Sequence, residues 1–497
     1  MTQRNEFVNT IQSNLHFFSF LMDGTTDAGN VEDELIGIMG FCKNKAEVGS
    51  FVRFFSIQVP TKANADGLIV CVKQALEPFG IDSVLEKADV LASRPILIGS
   101  CTDGASVNIG QRNGMRGKMQ RALPWIFWGW CYAHRLELAC KDSFTSGLFQ
   151  GISDMLLRLY YLYSKSPKKL RELAEVVSDL RGVFEFPKSG DTPIRSEGSR
   201  WISHKRQALQ RIVDRYGAYM AHLESLAEDR SVSSSDRARL KGYLSKWQQG
   251  KILIGCSMYV DALKVPSMLS KVLQEEKLNI VSSLQNILKS KKSLQSLTDT
   301  DPLQWPTVKL ICNRLTAGNE YQGATLKNYN QAMLTSCRDQ ALADVQRLDS
   351  SMRDVNLLRA ILTFLDTQTW RAPVAEAEDK ALTEVQNAVD VIATTFREPL
   401  EAVGVRILEL QDEITEVLEY SRQYLSIETD GYKSVWYKLH VCPDAVRWEN
   451  VILLCELCFS LLFSNGCIER MFSALKLVKT DRRTQLSHQM LTDILEI

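Results

Sequence analysis

The sequence predicts an α/β fold: a mixed sheet, a large all-α insertion and a closing set of C-terminal helices. Three observations carry this. Short β-rich runs fill residues 16–131. From about 165 to 440 the strand pattern gives way to helical apolar spacing. A long apolar helical stretch then begins at Asp444.

His16 to Asp23 is the first predicted strand, an aromatic-rich run that ends in an acid. Glu34 to Cys42 is the second, with glycines at its weak points. Ser50 to Val59 alternates Phe51, Arg53, Phe55 and Ile57 against Val52, Phe54 and Ser56, and stops at Pro60. The short turn-rich links between these runs predict an antiparallel meander. Asn64 to Glu77 places Leu68, Ile69, Val72, Ala75 and Leu76 on one helical face, and Pro78 ends it. Pro95 to Cys101 is apolar enough to be buried on both faces, as a central parallel strand is. Ile126 to Cys131 is a last short strand, and a long helix is predicted from Ala133 to about Ser164. The order β-β-β-α-β-α-β-α is that of an RNase H-like core: a meander extended by crossovers, helices on both faces, and a final helix still missing at residue 165. Residues 10–164 are therefore the first part of that core. Residues 165–440 form an all-α insertion, too long for a linker. Residues 441–497 supply the helices that complete the core.

Of 497 residues, 45% are hydrophobic and 24% charged, a soluble globular profile. Lys and Arg together number 59, as do Asp and Glu, so the formal net charge is zero. That balance argues against a self-contained basic DNA-binding module; any nucleic-acid contact must come from a local patch. The first residues lack an apolar signal core, and no uninterrupted run of about 18 apolar residues occurs. An intracellular chain with no membrane contact and no small-molecule cofactor is expected. Most of the twelve cysteines sit in apolar contexts, as buried thiols of a reducing compartment do. The Cys455–Cys458 pair follows Val451-Ile452-Leu453-Leu454 and reads as core packing, because a zinc ribbon needs a second pair.

The candidate chemistry lies in three acids. Asp23 and Asp103 each end an apolar strand, and Glu469 lies on a late helix. In an RNase H-like arrangement the first and fourth strands are neighbours, so the two aspartates would meet. Hard oxygen ligands suit Mg²⁺ or Mn²⁺, and a two-metal site activates an attacking oxygen and stabilises the leaving one. Asp27 and Asp66 are less well placed, since neither directly ends an apolar run. His134, in Cys131-Tyr132-Ala133-His134, starts a helix where it could donate to a phosphate or leaving oxygen. Arg200 and Trp201 offer a phosphate clamp beside a partly exposed stacking plate, at the mouth of the carboxylate cleft. Lys165, Lys168, Lys169, Arg171, Arg195, Arg200, Lys205, Arg206, Arg211 and Arg215 around them form the best candidate for a basic footprint. An RNase H-like exonuclease would want Asp-x-Glu on the first strand, and Thr25 occupies that second position.

Five words, in order, resemble the hAT superfamily of DNA transposases and their domesticated host relatives. Asp23-Gly24-Thr25-Thr26-Asp27 resembles the first-aspartate block, and Thr102-Asp103-Gly104-Ala105-Ser106-Val107-Asn108 the second. Cys131-Tyr132-Ala133-His134 with Leu136 and Leu138 resembles the C-x-x-H block. Ser199-Arg200-Trp201-Ile202-Ser203 resembles the R-W word, and Glu469-Arg470-Met471-Phe472-Ser473 the C-terminal dimerisation signature. The resemblance implies a D-D-E metal site of Asp23, Asp103 and Glu469, His134 near the scissile phosphate, and Trp201 near a flipped base. It also implies DNA as partner, a nuclear location, and a homodimer or higher homo-oligomer built through the C-terminal helices. Thr25 stands where the family commonly has an aromatic residue, Phe463 to Ile468 replace its Pro-Thr-Ser and Ser-Glu-Arg words, and the family's N-terminal BED-type zinc finger is absent. Two functions emerge as expectations: metal-dependent DNA cleavage and strand transfer, or a domesticated non-catalytic nuclear protein that uses the fold for dimerisation and partner binding.

Overall fold

The computed structural model describes residues 2–26, 32–187, 190–198, 200–275, 280–351, 356–371, 375–427, 429–462, 464, 466–478 and 490–491. Asp27, Ser199 and Phe463 lie outside these residues, as do the side chains of Glu469 and Ser473. Two compact units are present. One comprises Met1–Arg135, Val272–Asn286 and Asp354–Ile497, the other Leu136–Lys271 and Ile287–Arg353.

The first unit opens with α1 (Thr2–Asn14), β1 (Phe17–Thr26), β2 (Glu32–Lys43), β3 (Val48–Gln58), α2 (Ala65–Leu76) and α3 (Lys87–Ala92). Next come β4 (Ile96–Thr102), α4 (Ser106–Ile109), α5 (Met115–Ala122) and β5 (Phe127–Trp130), and α6 (Tyr132–Ser143) leads into the second unit. That unit holds α7 (Gly147–Ser164), α8 (Pro167–Leu180), α9 (Trp201–Glu228), α10 (Ser234–Trp247), α11 (Gly250–Ala262), α12 (Lys264–Val272), α13 (Ile280–Thr298), which straddles its boundary, and α14 (Pro306–Arg314). A small hairpin, β6 (Glu320–Tyr321) and β7 (Ala324–Thr325), and α15 (Gln331–Ser351) end it. The first unit resumes with α16 (Asn356–Leu365), α17 (Ala375–Thr395), α18 (Arg397–Ala402), α19 (Leu410–Tyr424), α20 (Tyr432–Val441), α21 (Glu449–Phe459) and α22 (Gly466–Val478).

The sheet order is β3-β2-β1-β4-β5. β2 runs antiparallel to β1 and β3, and β4 runs parallel to β1 and β5. The architecture is α/β with a mixed five-stranded sheet and a large helical part, and the first and fourth strands are central neighbours. β4 is buried along its whole length, as its unbroken apolar run requires. Alternation sorts the two faces. On one, Ser19 Oγ donates to Ser460 O at the end of α21 (2.6 Å), Phe41 packs on Phe459, and Gly37 lies beneath Ile468 of α22. On the other, Phe18 stacks on Phe79 after α2, and Gly40 lies beneath Leu15 at the end of α1. The α2 helix begins where Asn64 accepts from Gly67 N (3.0 Å), an N-cap visible in the sequence.

Several boundaries differ from the sequence reading. The long helix expected from Ala133 to Ser164 is two helices. Ser146 breaks it by capping α7, its Oγ accepting from Phe149 N, while its own N–H and hydroxyl both donate to the buried Asp344. Two short helices, α4 and α5, occupy the β4–β5 crossover. The helical unit begins and ends earlier than 165–440, because α20 packs on β3, and α16 and α19 pack on α21, all within the first unit. The cysteines of the Cys455–Cys458 pair are both fully buried in α21, as core packing requires. Within the second unit, Gly250–Val272 is long and apolar enough to cross a membrane, but 78% of its most apolar window is buried, the setting of a core helix.

Candidate metal and catalytic site

Asp23 and Asp103 come together through strand register. Phe20 pairs with Ser100 and Leu21 with Cys101 in the parallel β1–β4 ladder. Two residues on, the chains reach Asp23 and, just past the end of β4, Asp103, so the acids occupy neighbouring register positions at the carboxyl edge. Asp23 shares its face with Ser19 and Leu21, the face covered by α21 and α22. Both carboxylates are half-buried. Asp103 is oriented by its own loop: Oδ1 accepts from Asn108 Nδ2 (2.6 Å) and from Ala105 N (3.1 Å), an Asx turn that feeds α4.

Glu469 belongs to α22. This helix crosses the same face of the sheet and contacts β1, β2 and β3. A Cβ on Gly37 would lie 2.6 Å from Ile468 Cδ1, so the residue before Glu469 is seated on β2 two positions from Leu35, the cross-strand partner of Asp23. Arg470 Nη1 donates to Gln274 O (2.7 Å), and Ser464 Oγ donates to Leu273 O (2.7 Å), so Leu273 and Gln274 anchor the start of α22.

His134 lies in the first turn of α6, directly after β5, and is half-exposed. Cys131 N donates to Thr102 O (2.9 Å), so this helix starts at the same carboxyl edge as Asp103. The Trp130 ring closes against Gly104, where a Cβ would come within 2.6 Å of Trp130 Nε1, and the Arg135 guanidinium lies over the Trp130 ring. Asp66, the alternative acid, is exposed and pairs with Lys118.

A further acid belongs to this edge and escaped sequence reasoning. Glu34 stands opposite Gly24, and its Oε1 is 2.8 Å from the position a Cβ on Gly24 would take. Burial, then the charges of Asp103, Glu32 and Asp33, push its carboxyl up to about 7. The meander register could have placed it, since β1 and β2 pair through Asp23–Leu35 and Gly24–Glu34. Protonation of Glu34 is thus tied to folding. Below pH 4.5 the acid is neutral folded or unfolded, and its contribution is fully present. That contribution is lost as pH rises through about 7, where the folded carboxyl ionises in its buried, negative setting. Glu34→Gln should therefore gain stability relative to the parent between pH 5 and pH 8, by roughly 2 kcal/mol after allowance for partial exposure. Urea unfolding of both proteins at the two pH values checks this; an unchanged difference would place the charge of Glu34 in solvent.

Arg200 and Trp201 belong to the helical unit. Arg200 is exposed at the N-terminal end of α9. The Trp201 indole is not the partly exposed plate expected: it is 7% exposed, packs on Phe149 and lies under the Lys205 ammonium. An apolar first turn of a long helix is worth more buried than as a platform, so Trp201 is a packing anchor. Its neighbour Ile202 donates through N to the buried Glu137 Oε2 (2.9 Å). The basic footprint is likewise thinner than its residue count. Arg215 is fully buried and pairs with Asp191, and Lys205 is buried and pairs with Glu197.

Among the described residues, no group of three or more His, Cys, Asp and Glu side chains is arranged to hold a metal ion; the Glu469 side chain is not among them. The residues present nevertheless suit a hard divalent cation. Two neighbouring carboxylates offer oxygen donors, and Asp103 lies close enough to a third acid, Glu34, to add to the rise that burial gives its carboxyl. No family model matches the chain.

Proposed function

We propose that the chain is an RNase H-like, hAT-type transposase-related protein that cleaves DNA and transfers strands with divalent metal at Asp23, Asp103 and Glu469. The observation that carries this reading is the β1–β4 register, which sets Asp23 and Asp103 at neighbouring positions while the helix bearing Glu469 crosses the same face. Bound Mg²⁺ or Mn²⁺ would supply Lewis acidity and an activated oxygen nucleophile. Asp103, fixed by Asn108 and the Ala105 amide, presents its second oxygen in a set direction. Asp23 presents its carboxylate from a sheet strand and so moves little. His134 offers a hydrogen-bond donor at the same edge for a phosphate or leaving oxygen, and exposed Arg200 offers a phosphate contact on the helical unit. Trp201 has no base-stacking role in this reading. The test is metal-dependent nicking of duplex DNA by the purified chain. Its absence would favour the domesticated, non-catalytic nuclear reading.

Self-association through the C-terminal helices is part of the same proposal. The α21 helix is buried nearly all round, whereas α22 carries Leu477 at 80% exposed, with Met471, Phe472 and Val478 half-buried. Light scattering should give a dimer at micromolar concentration and a monomer for Leu477→Asp. A monomeric parent would remove the dimer and leave the cleavage reading standing.

A further inference from the structure

Within the helical unit, a cavity of about 640 Å³ opens among α7, α10, α11 and α15. Its floor is apolar: Leu148, Met155, Ile252 and Cys337 are buried there. Its rim is basic. Arg158 comes from α7, Lys246 from α10 and Lys251 from α11, and all three are exposed. Among the described residues none of the three has an ion-pair partner. Asp154, the single acid on the wall, pairs with none of them, although it stands one helical turn from Arg158. The wall is built firmly, with Tyr243 Oη donating to Met155 O (2.6 Å) and Gln340 Oε1 accepting from Leu148 N (3.0 Å).

Three cations brought from three helices onto one cavity repel each other, and the single acid on the wall, Asp154, leaves two of the three charges uncompensated. An anion offsets them. The apolar floor asks for more than a bare ion, because an inorganic anion leaves Met155 and Ile252 facing water. The volume falls in the range of small-molecule sites, roughly 300–1,000 Å³. We propose that this cavity binds a phosphate-bearing small molecule with an apolar or aromatic body, of about mononucleotide size. The phosphates lie among Arg158, Lys246 and Lys251, and the body lies on Met155 and Ile252. This goes beyond the expectation of a chain without a small-molecule cofactor, and it stands independently of the cleavage reading.

The test uses the full chain and ATP carrying a fluorescent anthraniloyl group, followed by anisotropy. Saturable binding at or below about 100 μM is expected, weakening by about tenfold or more in Lys246→Glu/Lys251→Glu. Both lysines are exposed, so the double variant should keep the parent's thermal unfolding. Unlabelled ATP should displace the probe more strongly than inorganic triphosphate or adenosine. Absence of saturable binding up to about 1 mM, or binding unchanged by the double variant, overturns the proposal. Equal competition by triphosphate removes the apolar body. Stronger displacement by a single-stranded oligothymidylate than by ATP would make the cavity a strand-binding groove and overturn the small-molecule assignment.

Discussion

Asp103→Asn is expected to reduce Mg²⁺- or Mn²⁺-dependent nicking by about 10³-fold while leaving the fold intact. Asparagine is the informative replacement because of how Asp103 is held. Its Oδ1 accepts from Asn108 Nδ2 and Ala105 N, and an amide oxygen can keep both bonds. Only the charge, and the oxygen free for a cation, is lost. Alanine would also remove the Asx turn that starts α4 and would mix a folding defect with a chemical one. Asp23→Asn should have the same effect, and the double variant should be little worse than either single one, since residues that act as a unit are not additive. Plasmid relaxation across a titration of each metal measures this. If nicking persists in Asp103→Asn at the parent rate, or vanishes on chelation without responding to either aspartate, the assignment of these carboxylates is wrong. Arg200→Ala in the same assay should raise the DNA concentration needed and spare the maximal rate, because phosphate contacts position rather than react.

Much of the first unit was legible because its signals are local. The run from Pro95 to Cys101 is apolar without alternation, and it is the buried central strand. The run from Ser50 to Val59 is a strand, but its alternation does not show in burial, since Phe54, Phe55, Ser56 and Ile57 are all buried; Pro60 and Asn64 punctuate the passage from that strand into α2. Asp23 and Asp103 could be paired from sequence because strand ends and strand order fix their positions together. The remainder depends on contacts that no window of sequence contains. Ser146 breaks the Ala133–Ser164 helix partly through Asp344, 198 residues away. Asp344 itself gives no sign in its own neighbourhood that it will be buried under Ser146 and Tyr259. Lys205 and Arg215 look like surface cations in the sequence, yet each is buried by an acid brought to it from a connecting segment, Glu197 and Asp191. Trp201 misleads for the same reason: an aromatic residue at a helix start packs or projects according to its neighbours, and Phe149 and Lys205 decide it. Glu34 was missed because an acid near the start of a strand is ordinary until the opposite residue is known to be Gly24.

Gly37→Val should separate the position of α22 from the stability of the sheet. A Cβ at this position would stand 2.6 Å from Ile468 Cδ1 and 3.2 Å from Arg53 O, where β2 and β3 shift register. The strand backbone cannot yield, so the strain falls on the fully buried Ile468 of α22, the residue before Glu469. Overpacking of this kind costs about 1–3 kcal/mol, and a displacement of roughly 1 Å at a catalytic group costs about 10²-fold in rate. Gly40→Val is the matched control. A Cβ there would meet Leu15 Cδ1 at 2.7 Å on the opposite face, under α1 and away from α22. It should cost comparable stability and leave nicking within a few-fold of the parent, on the scale of ordinary packing effects. Adding Ile468→Ala to Gly37→Val makes room for the new methyl groups and should restore part of both stability and rate. Urea unfolding and plasmid relaxation on the four proteins decide the matter. If Gly37→Val and Gly40→Val lose rate equally, the loss follows sheet stability rather than helix position. The crossing of α22 over β2 would then have no bearing on where Glu469 acts.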